Sequence, residues 1–175
     1  MDREIYAAQV LTGREDKYIN SFRRLRGDFD NVEIYYPKRE LEERKRGETR
    51  RVKKGIFSGY LFIKIPEGDI KNYQQAFRET EGFLRFLKAN NNITPLKGRD
   101  KELIQKFINF PNATIENSIV YFNEKDRIEV ISGVLKGMEG DISSVNRRKG
   151  RARISLKLFN ENVYVDFSIK EIKHI

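Results

Sequence analysis

The sequence predicts an α+β chain built as a split βαβ domain over residues 1–108, a connecting segment over 109–121 and a small β-barrel over 122–175. Three observations carry this. The first stretch switches between two-residue and helical apolar periods in the order β-α-β-β-α-β, with a further helix after it. The segment 109–121 holds Pro111, several polar residues and little periodicity, as a linker does. The last stretch holds only two-residue periods, punctuated by Gly133, Gly137 and Gly140, which is the pattern of short strands in a small barrel.

Ile5 to Leu11 opens the chain as a strand, with Ile5, Ala7, Val10 and Leu11 apolar and Gly13 closing it. Asp16 to Arg26 is a helix, because Tyr18, Ile19, Phe22 and Leu25 recur at helical spacing and form one stripe. Lys17, Asn20, Arg23 and Arg24 lie off that stripe and face outward, and Gly27 stops the helix. Val32 to Pro37 is a second strand. Lys38 to Lys54 is the most charged stretch, with nine basic and four acidic residues and Gly47 near its middle. Only Leu41 and Val52 are apolar there, so an exposed, solvated hairpin or loop projecting from the domain is expected. Gly55 to Ile65 is a near-continuous β-branched and aromatic run, read as a central strand ended by Pro66. Asp69 caps a helix whose stripe is Ile70, Tyr73 and Phe77. Gly82 to Leu87 is a strand, Asn90 to Gly98 a polar loop with Pro95, and Asp100 to Phe107 a helix burying Leu103, Ile104 and Phe107. This order is the ferredoxin-like arrangement.

In the barrel stretch the apolar alternation runs through Ile128 and Val130, then Ile142 and Val145, then Ala152, Ile154, Leu156 and Leu158. Each of the three glycines permits a tight turn or a close backbone pass. Val163, Val165 and Phe167 alternate with Tyr164 and Asp166, and helical spacing is poor in both long runs, so a stable barrel with no helical alternate is expected. Between Asp141 and Glu161 there are six basic residues and no acidic one: Arg147, Arg148, Lys149, Arg151, Arg153 and Lys157. Arg151, Arg153 and Lys157 share the strand face opposite the apolar one, so burying the apolar side sends them to solvent beside the Arg147–Lys149 turn. The planar arginine fork suits phosphates, base edges and stacking, which points to RNA. The competing reading is a charged barrel surface that keeps the domain in solution or meets a ribosomal protein.

Composition bounds the function. The net charge is +9, with +6 over residues 1–121 and +3 over 122–175, so polyanion partners are open to both halves. Charged residues make up 35% of the chain, above the ~25% of average globular domains. Twelve Phe and eight Tyr are enough to nucleate cores. With no cysteine, disulfides, Cys-ligated zinc, iron–sulfur clusters and Cys nucleophiles are excluded, which fits a reducing, cytoplasmic setting. No apolar run approaches the ~18 residues of a membrane span and no apolar segment follows Met1, so a soluble, untargeted chain with no membrane partner, expected as a monomer, is read here. The one histidine, His174, stands beside the last residue, Glu40, Glu42 and Glu43 lie among basic residues, and no P-loop, dinucleotide fingerprint or EF-hand occurs. The chain therefore reads as no enzyme, with no cofactor and no metal.

The strand that enters a bend with Gly133, Gly137 and Gly140 and leaves as an apolar strand resembles the KOW motif of NusG-type transcription factors and some ribosomal proteins. The first half resembles the NusG N-terminal domain. Tyr6 followed by a short strand and Gly13-Arg14-Glu15 is similar to the family's opening strand and Gly-x-Glu turn. Phe57-Ser58-Gly59-Tyr60-Leu61 is similar to its Phe-Pro-Gly-Tyr-Val/Leu, Gly82-Phe83-Leu84-Arg85-Phe86-Leu87 to its Gly-Val-x-x-Phe-Val strand, and Thr94-Pro95-Leu96 to its Pro-x-Pro-Leu segment. Ile5 stands where the family often has Trp, and Ser58 where it usually has Pro. With the basic charge, these departures resemble specialised paralogues of the RfaH and LoaP kind, which bind RNA polymerase on selected operons; LoaP-type members are associated with antitermination and an RNA element in the transcript leader.

The resemblance implies a transcription elongation or antitermination factor that binds RNA polymerase through its first domain and nascent RNA, a leader hairpin, through the KOW barrel. The alternative is a KOW-containing, ribosome-associated RNA-binding protein. By resemblance, Tyr6, Ile56, Phe57 and Tyr60 form an apolar patch for the β′ clamp helices, whereas the residues alone favour Phe57 and Tyr60 as core. Lys17, Asn20, Arg23 and Arg24 fall in the region the family places near the non-template DNA strand, or form an ordinary solvated helix face. Asp69 to Asn72 resembles the position that meets the gate loop of the β subunit.

Overall fold

The structure is a computed structural model that describes residues 2–27, 29–89 and 92–173; His174, Asn90 and Asn91 lie outside the described residues. The elements in chain order are β1 (Arg3–Val10), α1 (Glu15–Leu25), β2 (Glu33–Tyr35), β3 (Lys38–Lys45), β4 (Glu48–Gly55), β5 (Tyr60–Pro66), α2 (Ile70–Glu79) and β6 (Phe83–Phe86). There follow β7 (Lys88–Ala89), β8 (Asn92–Ile93), α3 (Gly98–Ile108), β9 (Thr114–Ile115), β10 (Ser118–Phe122), β11 (Ile128–Ser132), β12 (Ile142–Asn146), β13 (Arg151–Leu158) and β14 (Glu161–Glu171). They divide into two compact units, Met1–Tyr36 with Phe57–Gln105, and Pro37–Ile56 with Lys106–Ile175.

The first unit is the ferredoxin-like sheet, ordered β2-β5-β1-β6 with antiparallel neighbours. The two-residue period puts Tyr6, Ala8 and Val10 of β1 with Leu61, Ile63 and Ile65 of β5 on one face. That face packs with Tyr18, Ile19 and Phe22 of α1 and Phe77 of α2 in one core. The Phe22 and Phe77 rings stack 4.2 Å apart, and the Tyr18 hydroxyl donates to the Phe77 carbonyl at 2.6 Å. Two details differ from the sequence pattern. Leu25, on the apolar stripe, is 57% exposed because α1 ends there, beyond the sheet-packed turns. The strand expected from Gly55 begins at Tyr60, since Ile56–Gly59 is a turn in which Gly59 takes φ +80° and returns a carbonyl to Val10 N–H. A Cβ on Gly59 would sit 2.8 Å from Thr12 Oγ1, which explains glycine there.

The second unit is built on the curled five-stranded KOW-type sheet, ordered β11-β10-β14-β13-β12, with β10 and β14 parallel. Its core holds Val120, Ala152, Ile154, Leu156, Val165 and Phe167, and Phe107 of α3 stacks on Phe167 at 6.1 Å. Gly133 is required by close packing: it takes φ +97°, and a Cβ would fall 2.5 Å from Ser118 Oγ. The residues between the glycines, Val134, Leu135 and Met138, are buried rather than mere bends.

The segment 109–121, read from sequence as a linker, carries β9 and most of β10, which lies between β11 and β14. Its apolar run is too short to show a period, so only pairing reveals it. The charged stretch 38–54 does form a hairpin, β3–β4, but it is not a free projection. It belongs to the second unit, Leu41 is buried, and β3 pairs in parallel with β9. The anchoring uses backbone carbonyls, which side-chain chemistry does not advertise: Ser168 Oγ donates to the Glu40 carbonyl and Arg151 Nη2 to the Glu42 carbonyl, each at 2.9 Å.

Candidate nucleic-acid interface

The interface is organised by β13. Its apolar positions Ala152, Ile154, Leu156 and Leu158 are at most 2% exposed, which fixes the strand's roll and turns Arg151, Arg153 and Lys157 outward. Register then adds Ser144 and Asn146 of β12, opposite Arg153 and Arg151, and Asp166, Tyr164 and Asn162 of β14, opposite Arg153, Ser155 and Lys157. The turn beside it, Arg147–Lys149, is a single 3-10 turn held at both ends. Asn146 Oδ1 accepts from Lys149 N–H at 2.9 Å, and Gly150 leaves in a left-handed conformation at φ +59°.

The six cations are not equivalent. Arg147 is committed within the unit: it donates to Asp126 Oδ1 at 2.9 Å and to both Glu171 oxygens, and its guanidinium lies 4.0 Å over the Phe122 ring. The Glu171 carboxylate, as the largest cause, raises the proton affinity of that guanidinium further. Arg153 donates to both oxygens of Asp166, at 2.7 and 3.2 Å, and this bond holds the Asp166 carboxyl below its ordinary range. Arg151 is half-buried and bonds the Glu42 carbonyl. Arg148, Lys149 and Lys157 are exposed and carry no ion pair among the described residues. A polar pocket of about 220 Å³ lies among Ser144, Asn146, Lys149, Arg151, Arg153 and Asp166, so that three cations and one carboxylate line it with neutral hydrogen-bonding side chains.

Sequence reasoning missed Tyr164. It is 62% exposed, on the same outward face, between the Arg153–Asp166 and Lys157–Asn162 pairs. The signal was present in the alternation of Val163, Val165 and Phe167, which sends the intervening aromatic to solvent, where it offers a stacking surface.

The other predicted positions lie as follows. Tyr6 and Tyr60 stand on opposite faces of the first sheet, because Tyr6 registers with Ile63 and Tyr60 with Gln9. Tyr6, Ile56 and Phe57 are 2%, 4% and 3% exposed, Phe57 meeting Phe62 edge-on at 5.8 Å; Tyr60 is half-buried and keeps surface. The four do not make one exposed patch. Lys17, Asn20, Arg23 and Arg24 are all exposed along α1, and only Lys17 has an ion pair among the described residues, 3.9 Å from Glu81. Asp69 does not cap α2 with its side chain, which instead accepts from Asn72 Nδ2 at 3.4 Å.

Two of the motif segments meet at Glu15. Its carboxylate is 3% exposed and accepts from Gly59 N–H at 2.7 Å, so the Gly13-Arg14-Glu15 turn holds the Phe57–Tyr60 turn. Leu96, after Pro95, donates its N–H to the Ile5 carbonyl at 2.7 Å. The segments that stand apart in sequence are thus the contacts that close the first unit.

Residues 3–105 match the profile of the family described as "Transcription termination factor nusG". The chain belongs to the NusG family. This is a family of transcription termination and antitermination factors, not of enzymes. Curated NusG-family relatives align along almost the whole chain. The transcription termination/antitermination protein NusG of Thermus thermophilus is 26% identical over 181 residues, covering 98% of each chain. That of Borreliella burgdorferi is 24% identical over 184 residues with both chains fully covered, and that of Bacillus subtilis 24% identical over 179 residues, covering 98% of each. A solved structure described as "Domain interaction in Thermotoga maritima NusG" has the same fold, with a TM-score of 0.59 at 19% identity, covering 96% of this chain and 94% of that one. Among the described residues, no helix is long and apolar enough to cross a membrane.

Proposed function

We propose that this NusG-family factor binds RNA polymerase through its first unit and RNA through the outward face of its barrel. The polymerase reading rests on the family, with Tyr60 as the contact that retains surface and Phe57 as a buried residue of the turn leading into it; Tyr6 and Ile56 are buried and offer no surface of their own. On this reading the β′ clamp helices are held closed and pausing falls, a population shift with no chemistry of its own. The exposed α1 residues Lys17, Asn20, Arg23 and Arg24 lie toward the non-template strand, and the start of α2 at Asp69–Asn72 toward the β gate loop.

The observation that carries RNA binding is the strict alternation of β13, which leaves a basic face beside the Arg147–Lys149 turn once the apolar face is buried. Tyr164 adds a stacking surface for an unpaired base, which RNA loops offer and duplexes hide. Because Arg147 and Arg153 are already paired, Arg148, Lys149 and Lys157 supply the phosphate contacts. Three such contacts on the barrel face, at a slope of about −0.7 each, contribute about a twentyfold fall in affinity between ~50 and ~200 mM salt.

The test uses the full chain. Tyr60→Ala should weaken polymerase retention about thirtyfold, the effect of removing an interface aromatic contributing ~2 kcal/mol, and leave RNA binding intact. Arg148→Ala with Lys149→Ala should do the reverse. Copurification with ribosomal particles in place of polymerase would contradict the reading.

A further inference from the structure

We propose that the β3–β4 hairpin is a nucleic-acid-binding arm of the barrel, and that its tip, Arg44-Lys45-Arg46, grips the same RNA strand as the Arg147–Lys149 turn. The inference rests on the barrel reading above and extends it to a segment outside the KOW sheet.

Packing does not account for the outer half of the hairpin. Leu41 is buried and Val52 half-buried near its base, yet residues 44–51 are all exposed. The ladder nevertheless runs in register to Lys45↔Glu48. It closes through a two-residue turn in which Arg46 and Gly47 take φ +53° and +85°. Both central residues are left-handed, as in the tight turn that matches strand twist, so the tip is held rather than loose. A held element that buries nothing is preorganised to meet something else.

Charge indicates what it meets. The four acidic residues are engaged along the stem: Arg51 lies 3.6 and 3.8 Å from Glu40 and Glu42, Lys54 pairs with Glu43, and Arg50 lies 2.7 Å from Glu48. Arg44, Lys45, Arg46 and Lys53 carry no ion pair among the described residues. Three consecutive exposed cations at a fixed tip form a local excess of positive charge, which favours a polyanion.

Register indicates where the tip points. The Glu40 carbonyl meets Ser168 on β14, and the Glu42 carbonyl meets Arg151 on β13; Ser168 and Arg151 are partners across the ladder. Two residues along β3 thus lead from a side chain of β14 to one of β13. The next strand is β12, whose Asn146 is the register partner of Arg151 and leads directly into the Arg147–Lys149 turn. Continued in that direction, Arg44–Arg46 would lie toward β12 and that turn. Tip, turn and Tyr164 then present phosphate contacts and a stacking surface to unpaired nucleotides.

The test measures binding of a fluorescein-labelled stem–loop RNA to the full chain across a salt series. The tip variant is Arg44→Gln, Lys45→Gln, Arg46→Asn; asparagine tolerates the left-handed conformation and keeps the turn. Lys53→Gln on the stem is the milder second variant, and circular dichroism checks that each retains the fold. If the tip contributes three contacts, the logarithmic salt slope falls by about 2, and affinity at ~0.1 M salt falls on the order of a hundredfold. Lys53→Gln shifts the slope by less than one contact. If the tip variant binds like wild type while Arg148→Ala with Lys149→Ala is weakened, the arm is refuted and the barrel reading stands. If wild type binds no RNA at low salt, the barrel reading itself fails. Equal affinity for the DNA stem–loop of the same sequence would overturn RNA as the ligand.

Discussion

Replacing Glu15 by Ala tests the contact that joins two of the family's motif segments. The carboxylate is 3% exposed, and its Oε1 accepts from Gly59 N–H at 2.7 Å within the Ile56–Tyr60 turn. Alanine removes a charge-assisted bond and leaves a buried N–H without its acceptor. Bonds to charged groups contribute about 1.5–3 kcal/mol, and an orphaned buried donor costs about 1–3 kcal/mol. Relief of the buried carboxylate's desolvation offsets part of this, so a net loss of about 2–3 kcal/mol is expected. For a chain of this size each kcal/mol lowers Tm by about 2–4 °C, which places the shift at about 5–10 °C. Glu15→Gln keeps an acceptor and should lose less than half as much. A second readout is Tyr36, whose hydroxyl pKa is pushed up to about 12, first by burial and then by the Glu15 carboxylate. In Glu15→Ala it should move partway back toward the ordinary tyrosine value of about 10, followed by ultraviolet absorbance. Polymerase retention should weaken with the turn that leads into Tyr60. A Glu15→Ala protein that melts within ~1 °C of wild type and keeps its Tyr36 titration would refute the reasoning.

Gly133→Ala should destabilise the barrel by about 2–5 kcal/mol, since it combines backbone strain at φ +97° with a Cβ 2.5 Å from Ser118 Oγ; thermal melting checks it, and an unchanged melt would show that the turn can relax. Arg147→Ala should lower Tm and loosen the 147–149 turn, because its guanidinium bridges Asp126, Glu171 and Phe122, whereas Arg148→Ala should leave Tm unchanged and weaken RNA binding. Asp166 provides a pH signature. Arg153 depresses its folded pKa, so the pair's stabilisation is present above the unfolded carboxylate value of about 3.9 and is lost as pH falls through the lower folded value. Asp166→Asn should therefore flatten the acid limb of stability against pH, and an unaltered limb would show that the pair contributes nothing there.

The sequence pattern was most legible where side chains alternate against a core. β13 is the clearest case: its apolar residues fixed the roll of the strand and thereby the basic face. The alternation of β14 likewise turned Tyr164 away from its apolar side, but only pairing with β13 sets it beside the basic residues. Tyr6 and Tyr60 were grouped in one patch, and only register reveals that the two lie on opposite faces, because register is a relation between strands. The partition of the cations was not legible either. Arg147 and Arg148 are adjacent and alike in sequence, yet one is held by two carboxylates and a ring and the other carries no ion pair among the described residues. The hairpin's place in the second unit was hidden for a different reason: on the hairpin's side its attachment uses the Glu40 and Glu42 carbonyls and backbone pairing with β9, which the hairpin's own side chains do not announce. Likewise the carboxylate of Glu15 finds its partner in a backbone N–H distant in sequence.

The central claim is that this NusG-family chain alters transcription by holding polymerase with one unit and RNA with the other. Single-round transcription by RNA polymerase through an intrinsic terminator placed behind a structured leader tests it most directly. The account predicts that the full chain changes the fraction of read-through, that Tyr60→Ala abolishes the change on every template, and that Arg148→Ala with Lys149→Ala abolishes it only where the leader RNA is present. Read-through that is the same with and without the protein, at concentrations that saturate polymerase, would contradict the account.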